Sequence, residues 1–423
     1  MKRRTQGNQP AARLQAPGTE PAATGDSAGG PAPSGVSFQP PLQYDGRQTC
    51  GGHEGAAMAA SSTTSESGRQ RPAPSRPRRF AAVALTVCAL WAASAAAAQA
   101  RPDAGRGAPR VFPVCIEMGG QAGPDVAGRM VVWTDNRNGQ LDIYGRDLAR
   151  STDFPVCTAD GSQDNPSVTA IRSGGRTVYE AVWVDKRDHD NGDIFGADIA
   201  TGEEFIVARS TAYKWFPEIC DRWVVWLEAK STGGPYTVKA RDLNSGKAYR
   251  VATTTVLSSV GVSHRTVAGE LVHTAVYAST GGDISGRDLP DGEPFGISQT
   301  PGFEWSPDIS GDRVVWWQEG EKVMLRNLKT GARTQVGTGA RPRVDGELVT
   351  WDGGGHGGEF VLDYKAGAAI YVRNVARSRN VTKITQKDQT CLFPAVSGKT
   401  LVWEAGPARR VLGHIHIYGA KLP

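Results

Sequence analysis

The sequence lacks a strong excess of charge of either sign. Among its 423 residues, 48 Lys and Arg stand against 43 Asp and Glu, which gives a formal net charge of +5 at pH 7. Proteins that bind nucleic acids usually concentrate basic side chains on one face, whereas several of the arginines here lie in the N-terminal tail. The balance therefore argues against a nucleic-acid partner.

The chain from residue 112 onward also lacks the short motifs of common active sites. It contains no GxSxG nucleophile elbow, no HExxH helix and no phosphate-binding loop. Catalytic groups scattered over separate loops would leave no such trace, so a dispersed active site stays an alternative. The absence favours a protein without catalytic activity and without a cofactor.

Long hydrophobic runs are absent apart from one. RPRR at 76–79 precedes an uncharged run from Phe80 to Ala98, and small residues at Ala98 and Ala100 suit cleavage, so residues 76–100 are typical of a secretory signal peptide. The alternative is a signal anchor that leaves residues 1–75 in the cytoplasm. We expect cleavage, a periplasmic or secreted protein, and no membrane insertion afterwards.

The segments on either side of this signal carry no sign of a fold. Residues 1–75 are rich in Gly, Pro, Ala and Ser without hydrophobic periodicity, which predicts a disordered tail. Because signal peptides normally begin a protein, a true start at Met58 is an alternative. Residues 101–111 are interpreted as a linker to the rest of the chain.

Residues 112–423 contain a sevenfold internal repeat. In each copy an aromatic residue closes a short hydrophobic run, and in five copies a proline precedes it by nine residues, as Pro124 precedes Trp133. Two copies are longer, with 17 residues from Pro166 to Trp183 and from Val260 to Tyr277. A further repeated motif, DIYGRDL at 142–148 or a variant of it, follows each aromatic residue. The seven aromatic residues are Trp133, Trp183, Trp226, Tyr277, Trp316, Trp351 and Trp403.

This repeat predicts an all-β fold. The aromatic residues recur every 35–52 positions, and the short β-branched runs between them are separated by Gly, Asp and Asn turns. Each copy supplies four short strands, a to d, and four copies have a glycine in the c–d turn, such as Gly246. The expected fold is a seven-bladed β-propeller of four-stranded blades.

The two ends of the repeat region predict how the ring closes. FPVC at 112–115 matches FPVC at 154–157, the strand d region of the first copy, whereas the last copy stops after its strand c. The N-terminal strand is therefore expected to complete the seventh blade. Four cysteines follow the signal, and this pairing would bring Cys115 near Cys391, which permits a disulfide; buried free thiols are the alternative.

The repeat resembles that of TolB-like β-propellers and their WD40-like relatives. The resemblance rests on VVWTDNRNGQLDIYGRDLA at 131–149 and on WSPDISGDRVVWW at 305–317, which has a similar Ser-Pro-Asp blade opening. It extends over nearly all of residues 112–423. It implies an extracytoplasmic ring that binds a ligand or serves as a scaffold.

Two groups of residues are candidates for a binding rim. One is the DxR pattern on the predicted b–c loops, formed by Asp135 with Arg137 and by Asp185 with Arg187. These residues either contact an anionic or hydroxylated ligand or hold their own turns. The other group is Trp215 and Trp305, which precede blades 3 and 5 and either offer stacking platforms for sugars and peptide aromatics or cover the blade edges.

A third candidate is the central channel, which strand a of each blade is expected to line. The charged residues directly after the blade-opening prolines are Asp125, Glu218, Asp308 and Arg343. Three carboxylates and one arginine in a wet channel would hold a cation or the polar end of a ligand. The alternative is that they are solvated charges without a ligand.

Three further features are weaker candidates. The acidic loop at 185–193 has oxygen ligands for Ca²⁺ but lacks the order of an EF-hand loop. His414 and His416 have a spacing that can chelate Zn²⁺, but a turn role for His416 is favoured. The Gly-rich insertion at 353–365, with His356 and Glu359, either contributes to a dispersed active site or is a flexible loop. No metal site is predicted from them.

The sequence thus predicts a monomeric, non-catalytic binding or scaffold module for a protein or glycan ligand on the loop face of a propeller. The alternative is a carbohydrate-active enzyme, a lyase or glycosidase, on the same ring. An enzyme needs convergent carboxylates or a histidine-based metal site in one cleft, whereas a binding module needs an exposed aromatic and polar rim.

Overall fold

The computed structural model describes residues 109–353, 367–384, 389–407 and 414–423. Within these ranges, 28 strands form seven antiparallel sheets of four strands each. The predicted seven-bladed propeller is confirmed. The predicted tail, the signal segment and most of the linker lie outside the described residues.

In every blade, strand a is innermost and contacts the a strands of the neighbouring blades. Blade 1 consists of β2 (Gln121–Ala127), β3 (Met130–Asp135), β4 (Asp142–Asp147) and β5 (Phe154–Cys157). Blade 2 consists of β6 (Gln163–Ser173), β7 (Arg176–Asp185), β8 (Asp193–Asp198) and β9 (Glu204–Ala208). Blade 3 consists of β10 (Tyr213–Cys220), β11 (Trp223–Ala229), β12 (Tyr236–Asp242) and β13 (Ala248–Thr254).

The remaining blades follow the same order. Blade 4 consists of β14 (Gly261–Val267), β15 (Glu270–Ala278), β16 (Ile284–Leu289) and β17 (Pro294–Ser298). Blade 5 consists of β18 (Glu304–Ser310), β19 (Arg313–Gln318), β20 (Lys322–Asn327) and β21 (Arg333–Thr338). Blade 6 consists of β22 (Ala340–Asp345), β23 (Leu348–Gly353), β24 (Ala369–Asn374) and β25 (Thr382–Ile384). Blade 7 consists of β26 (Gln389–Ser397), β27 (Thr400–Pro407), β28 (His416–Lys421) and β1 (Arg110–Cys115).

Blade 7 takes its outer strand from the N-terminal side of the repeats. β1 pairs antiparallel with β28, so that Arg110 lies opposite Lys421 and Cys115 lies opposite Ile417. This pairing satisfies backbone groups of β28 that would otherwise form an exposed sheet edge. The first and last described strands of the ring therefore share one sheet.

The repeated aromatic residues form the core between blades. Each lies on strand b, and all seven are at most 4% exposed. Trp133 packs against blade 7, Trp226 against blade 2 and Trp316 against blade 4, so each residue fills the space toward the preceding blade. Truncation of one such ring to alanine costs about 3–5 kcal/mol in a typical core. The aromatic residue that marks each repeat in the sequence therefore makes the contact that joins its blade to the preceding one.

A bulge interrupts strand a in six of the seven blades. The register shifts across the proline, for example between Trp215 and Glu218 in blade 3, and the residue before the proline has a positive φ, 52° at Phe216. A bulge of this kind bends the strand and re-aims the side chain that follows. Blade 4, which has Val260 in place of the proline, keeps a continuous register. The proline spacing in the sequence thus marks the bulges.

The two faces of the ring differ in their connections. The d–a and b–c connections lie on one face, called the loop face, and the a–b and c–d turns lie on the opposite face, called the turn face. The longer copies of the repeat correspond to longer a–b hairpins on the turn face, β6–β7 in blade 2 and β14–β15 in blade 4. The described part of the chain contains no helix of the length and hydrophobicity needed to cross a membrane.

Candidate functional site

The bulges direct one side chain from each of six blades into the central channel. A single cavity is lined by the residues after the blade-opening prolines, and its volume, open solvent included, is about 460 Å³. These residues are Asp125, Ser167, Glu218, Asp308, Arg343 and Ala395. The structure therefore brings together the four charged channel residues predicted from the sequence.

Arg343 is the basic residue among the described lining residues. Its Nη1 lies 2.8 Å from Glu218 Oε1 and 3.9 Å from Asp308 Oδ1. The Ser167 hydroxyl donates to the other Glu218 oxygen at 3.0 Å. Burial alone would lower the pKa of Arg343, but the surrounding carboxylates raise it, so the guanidinium stays charged.

Asp125 and Asp308 are the acids whose ionisation the channel changes. Burial raises the pKa of Asp125 to about 6 and that of Asp308 to about 7, and the charge of Glu218 adds to both shifts. Each carboxylate also accepts a backbone amide from the next blade, Val168 at 2.8 Å and Val344 at 2.7 Å. Acids with raised pKa values beside an arginine can bind a cation or transfer a proton.

The predicted rim tryptophans lie at the start of strand a on the loop face, and both are partly exposed. Trp305 stacks on Trp317 with 4.2 Å between ring centroids and 25° between planes, and the neighbouring Phe303 is 48% exposed. Trp215 stacks on Tyr213 at 5.7 Å. Trp215 and Trp305 also pack against the core clusters between blades, so each covers a blade edge and presents only part of its ring to solvent. An exposed aromatic ring held in this way suits stacking on a ligand ring.

The DxR residues lie on the loop face, but in both turns the aspartate and the arginine are bonded to each other. Asp135 is fully buried and accepts bonds from Trp133 Nε1 and Arg137 Nε, both at 2.9 Å. Asp185 is 2% exposed and bonds to Arg187 Nε at 2.9 Å in the same way. The two aspartates hold their own turns and offer no free oxygen on the surface, in contrast to the rim role considered for them.

Cys115 does not form the disulfide with Cys391 that the sequence permitted, and both residues are buried thiols, the alternative considered for them. Cys115 ends β1 at the outer edge of the blade 7 sheet, whereas Cys391 lies on β26 at the inner edge, with two strands between them. Strands are spaced by about 4.8 Å, so the two residues are about 14 Å apart, while a disulfide needs Cα atoms within about 7 Å. The N-terminal strand completes the blade as expected, but it joins the sheet edge opposite to strand a, so it does not bring Cys115 near Cys391.

Cys115 and Cys157 instead contact the DxR turns. Cys115 Sγ lies 3.1 Å from Arg137 Nη2, and Cys157 Sγ lies 3.2 Å from Arg187 Nη2. Each thiol belongs to strand d of one blade and touches the turn of the next, and burial raises the pKa of both thiols to about 12. The sequence held a signal for this contact, since FPVC precedes the two copies with DxR and no other copy.

The weaker candidates are occupied by protein groups or fall outside the described residues. In the acidic loop, Asp193 pairs with Lys214 Nζ at 3.3 Å and Arg209 Nε at 3.2 Å, so protein cations neutralise it. His416 Nδ1 lies 2.9 Å from Gln121 Oε1, in agreement with a structural role. Apart from Gly353, the insertion at 353–365 lies outside the described residues.

Sequence reasoning missed one group on the turn face between blades 3 and 4. Cys220 ends β10 and Asp221 lies in the turn that follows, while His264 and His273 stand directly opposite each other on β14 and β15. One donor atom from each of these four residues lies within 4.8 Å of the other three. We call this group the turn-face cluster.

Asp221 is the centre of the turn-face cluster. Its Oδ2 accepts a hydrogen bond from His264 Nδ1 at 2.9 Å and one from His273 Nε2 at 3.0 Å. The bond from His264, then that from His273, lowers the pKa of Asp221, and the same contact raises the pKa of His264 to about 10. The sequence shows two histidines nine residues apart in a longer hairpin, but not that this hairpin lies over the blade 3 turn.

Comparison with known proteins supports the propeller fold. No protein-family model matches the chain, and no curated protein matches it. An oligogalacturonate lyase from Vibrio parahaemolyticus aligns with a TM-score of 0.51 at 11% identity, over 75% of this chain and 99% of that one. The propeller domain of the Trilobed protease from Pyrococcus furiosus has a TM-score of 0.49 at 12% identity, over 73% and 96% of the two chains. TolB from Acinetobacter baumannii has a TM-score of 0.43 at 13% identity, over 70% and 68%.

At these identities the similarity shows the fold alone. With its seven four-stranded sheets, the chain has the propeller fold that the TolB-like and WD40-like resemblance led us to expect.

Proposed function

We propose that this chain is an exported, non-catalytic propeller that binds a glycan or protein ligand on its loop face. The observation that carries the proposal is the pair of aromatic surfaces at Trp215 and Trp305, on strands that line the channel. Export rests on the signal-like segment at 76–100.

The surface at Trp305 is built for a flat ligand group. Trp317 supports its ring from one side, so the ring loses little conformational freedom when a ligand stacks on it. Phe303 extends the apolar area toward solvent. Sugar rings and the aromatic side chains of peptides both present apolar faces of this kind, so both ligand classes suit the rim.

The channel supplies a polar complement to the rim. Glu218 and Asp308 stand on the same inner strands as the two tryptophans, farther from the loop face. Arg343 and Asp125 stand on the inner strands of blades 6 and 1 and line the same cavity. A ligand stacked on the rim would direct a polar or cationic group toward them. Binding pockets commonly combine an apolar surface with a few fixed charges in this way.

A carbohydrate-active enzyme on the same ring is the second candidate. The observation that favours it is the raised pKa of Asp125 and Asp308 beside Glu218 and Arg343, since unequal acids in one cavity are the basis of acid–base catalysis. The oligogalacturonate lyase, with a TM-score of 0.51, has a similar fold.

The test is a glycan and peptide binding screen on the purified protein with Trp305→Ala and Trp215→Ala variants. We expect each substitution to weaken binding of a captured ligand about tenfold or more, as for aromatic hot spots. Trp223→Ala is the matched control, because Trp223 lies at the turn-face end of strand b in blade 3.

Two outcomes would contradict the proposal. Unchanged affinity in both rim variants, with circular dichroism showing that they are folded, would exclude the aromatic rim as the site. Turnover of a glycan that Asp308→Asn abolishes would favour the enzyme instead.

A further inference from the structure

We propose that the turn-face cluster of Cys220, Asp221, His264 and His273 is a zinc site that fastens blade 3 to blade 4. The four residues offer one thiol sulfur, one carboxylate oxygen and two imidazole nitrogens that converge on one point between the blades. The inference does not rest on the proposed function, because the rim and the channel contribute nothing to it.

The distances between the donor atoms are close to the edges of a zinc tetrahedron. Zinc bonds of about 2.0–2.3 Å place tetrahedral ligand atoms about 3.3–3.8 Å apart. Cys220 Sγ lies 3.8 Å from His264 Nδ1 and 3.9 Å from Asp221 Oδ2. The two nitrogen–oxygen separations are 2.9 and 3.0 Å, because hydrogen bonds now join those atoms. Small side-chain movements would therefore admit the ion.

The chemistry of the four donor atoms favours zinc over Ca²⁺ and Mg²⁺. Thiolate and imidazole are preferred by zinc, whereas Ca²⁺ and Mg²⁺ take oxygen ligands. The site is open to solvent on one side, since the side chain of His264 is 50% exposed and that of Asp221 is 36% exposed. On binding, zinc takes the place of the Cys220 thiol proton, which passes to solvent. A ring protonated on both nitrogens releases the proton that faces Asp221, and a neutral ring moves that proton to its other nitrogen.

The blade 1–2 junction shows that the architecture does not require these residues. It too places a long hairpin over an a–b turn, with Ala170 opposite Tyr179 as His264 is opposite His273. A Cβ atom on Gly128 of that turn would lie 3.6 Å from the Tyr179 hydroxyl. Ala127, Gly128, Ala170 and Tyr179 occupy the equivalent positions, so the same packing is achieved there without a thiol, an imidazole or a carboxylate.

Asp221 also adopts a backbone conformation that other blades assign to glycine. Its φ is 52°, and the equivalent turn positions in blades 1, 5, 6 and 7 are Gly128, Gly311, Gly346 and Gly398, with φ between 54° and 60°. A side chain in the left-handed region is disfavoured relative to glycine, although Asp tolerates it better than most residues. A carboxylate kept at this position is consistent with a ligand role.

The experiment measures zinc bound by the full-length protein without a histidine tag. The protein is freed of metal with a chelator, dialysed against Zn²⁺ alone, and assayed by atomic absorption, with affinity measured by competition against a chromogenic chelator. We expect one zinc per chain at this site and at least about a hundredfold weaker binding in His264→Ala and His273→Ala. In the Co²⁺ form, Cys220→Ser should remove the thiolate-to-cobalt charge-transfer band.

His189→Ala is the matched control, because His189 pairs with Asp193 in a loop outside the cluster and its loss should leave binding unchanged. Asp221→Gly guards against variants that fail to fold, since glycine occupies that turn position in four other blades; it should fold and bind zinc more weakly. Absence of zinc binding in the parent protein, or equal zinc affinity in the parent and in Asp221→Gly and both histidine variants, would overturn the inference.

Discussion

Two groups of cysteine, aspartate and basic side chains lie on opposite faces of the ring and differ in their surroundings. On the loop face, Cys115, Asp135 and Arg137 form a buried group in which Asp135 is 0% exposed and Cys115 1% exposed. On the turn face, the side chain of Asp221 is 36% exposed, Cys220 is partly exposed, and histidines take the place of the arginine.

The difference shows that residue type alone does not decide whether such a group holds a ligand. An arginine stays protonated and has no lone pair for a metal, so its bonds to Asp135 occupy the carboxylate permanently. A histidine can lose its proton and become a ligand, and exposure gives an ion access to it. The buried group therefore holds a turn, while the open one can exchange its protons for a metal.

The largest expected effect comes from neutralising the buried acid. Asp135→Asn should lower the free energy of unfolding by about 3 kcal/mol or more, because it breaks a pair whose acid is fully buried and removes the nearer of the two carboxylates that face Arg137. Urea unfolding followed by circular dichroism measures the loss.

Asp221→Asn is the matched control for this prediction. With zinc removed, Asp221→Asn should lower the free energy of unfolding by less than about 1 kcal/mol, because Asp221 and its histidine partners are partly exposed to water. Equal losses in the two variants would show that exposure does not separate the two groups.

Most of the fold could be predicted because the physical cause repeats in every blade. Trp133 and its six counterparts recur in the sequence since each one fills the same space between blades. The FPVC match between 112–115 and 154–157 predicted that β1 would lie in blade 7. The bulges were not predicted, because the proline offset alone does not reveal the positive φ of a residue such as Phe216.

A site residue could be predicted only where its position within a single blade determines where it lies in the ring. Asp308 and Arg343 were identified because each follows its proline, so strand position alone placed them in the channel. The Cys115–Arg137 contact and the turn-face cluster both join different blades, and Cys220 and His264 are 44 residues apart. Local patterns do not show which turn of one blade lies under which hairpin of the next.

The second prediction concerns the thiols of the two groups. Cys220 should react with a thiol reagent in the native protein, whereas Cys115 and Cys157 should react at least about a hundredfold more slowly, because labelling them requires local opening of the blade. Timed labelling and peptide mass spectrometry measure the three rates. Added Zn²⁺ should protect Cys220 and leave the other two unchanged. Comparable rates at all three thiols would contradict the contrast in burial.

The smallest expected effect concerns Asp308, whose side-chain exposure lies between that of Asp135 and that of Asp221. Its side chain is 16% exposed, against 0% for Asp135 and 36% for Asp221. Burial raises its pKa to about 7, above the ordinary value of 3.8, so between these pH values the folded protein binds more protons than the unfolded chain. Asp308 therefore makes stability fall as the pH rises from about 4 to about 7.

Asp308→Asn should remove that contribution. The difference in unfolding free energy between parent and variant should change across this window with a slope no steeper than about 1.4 kcal/mol per pH unit. Asp125→Asn should act over a lower window that ends near the pKa of about 6 of that acid. Urea unfolding at a series of pH values measures both differences. If the difference in unfolding free energy between the parent and Asp308→Asn does not change with pH, channel water and Arg343 stabilise the carboxylate as bulk solvent does. Asp308 would then behave as an exposed acid such as Asp221.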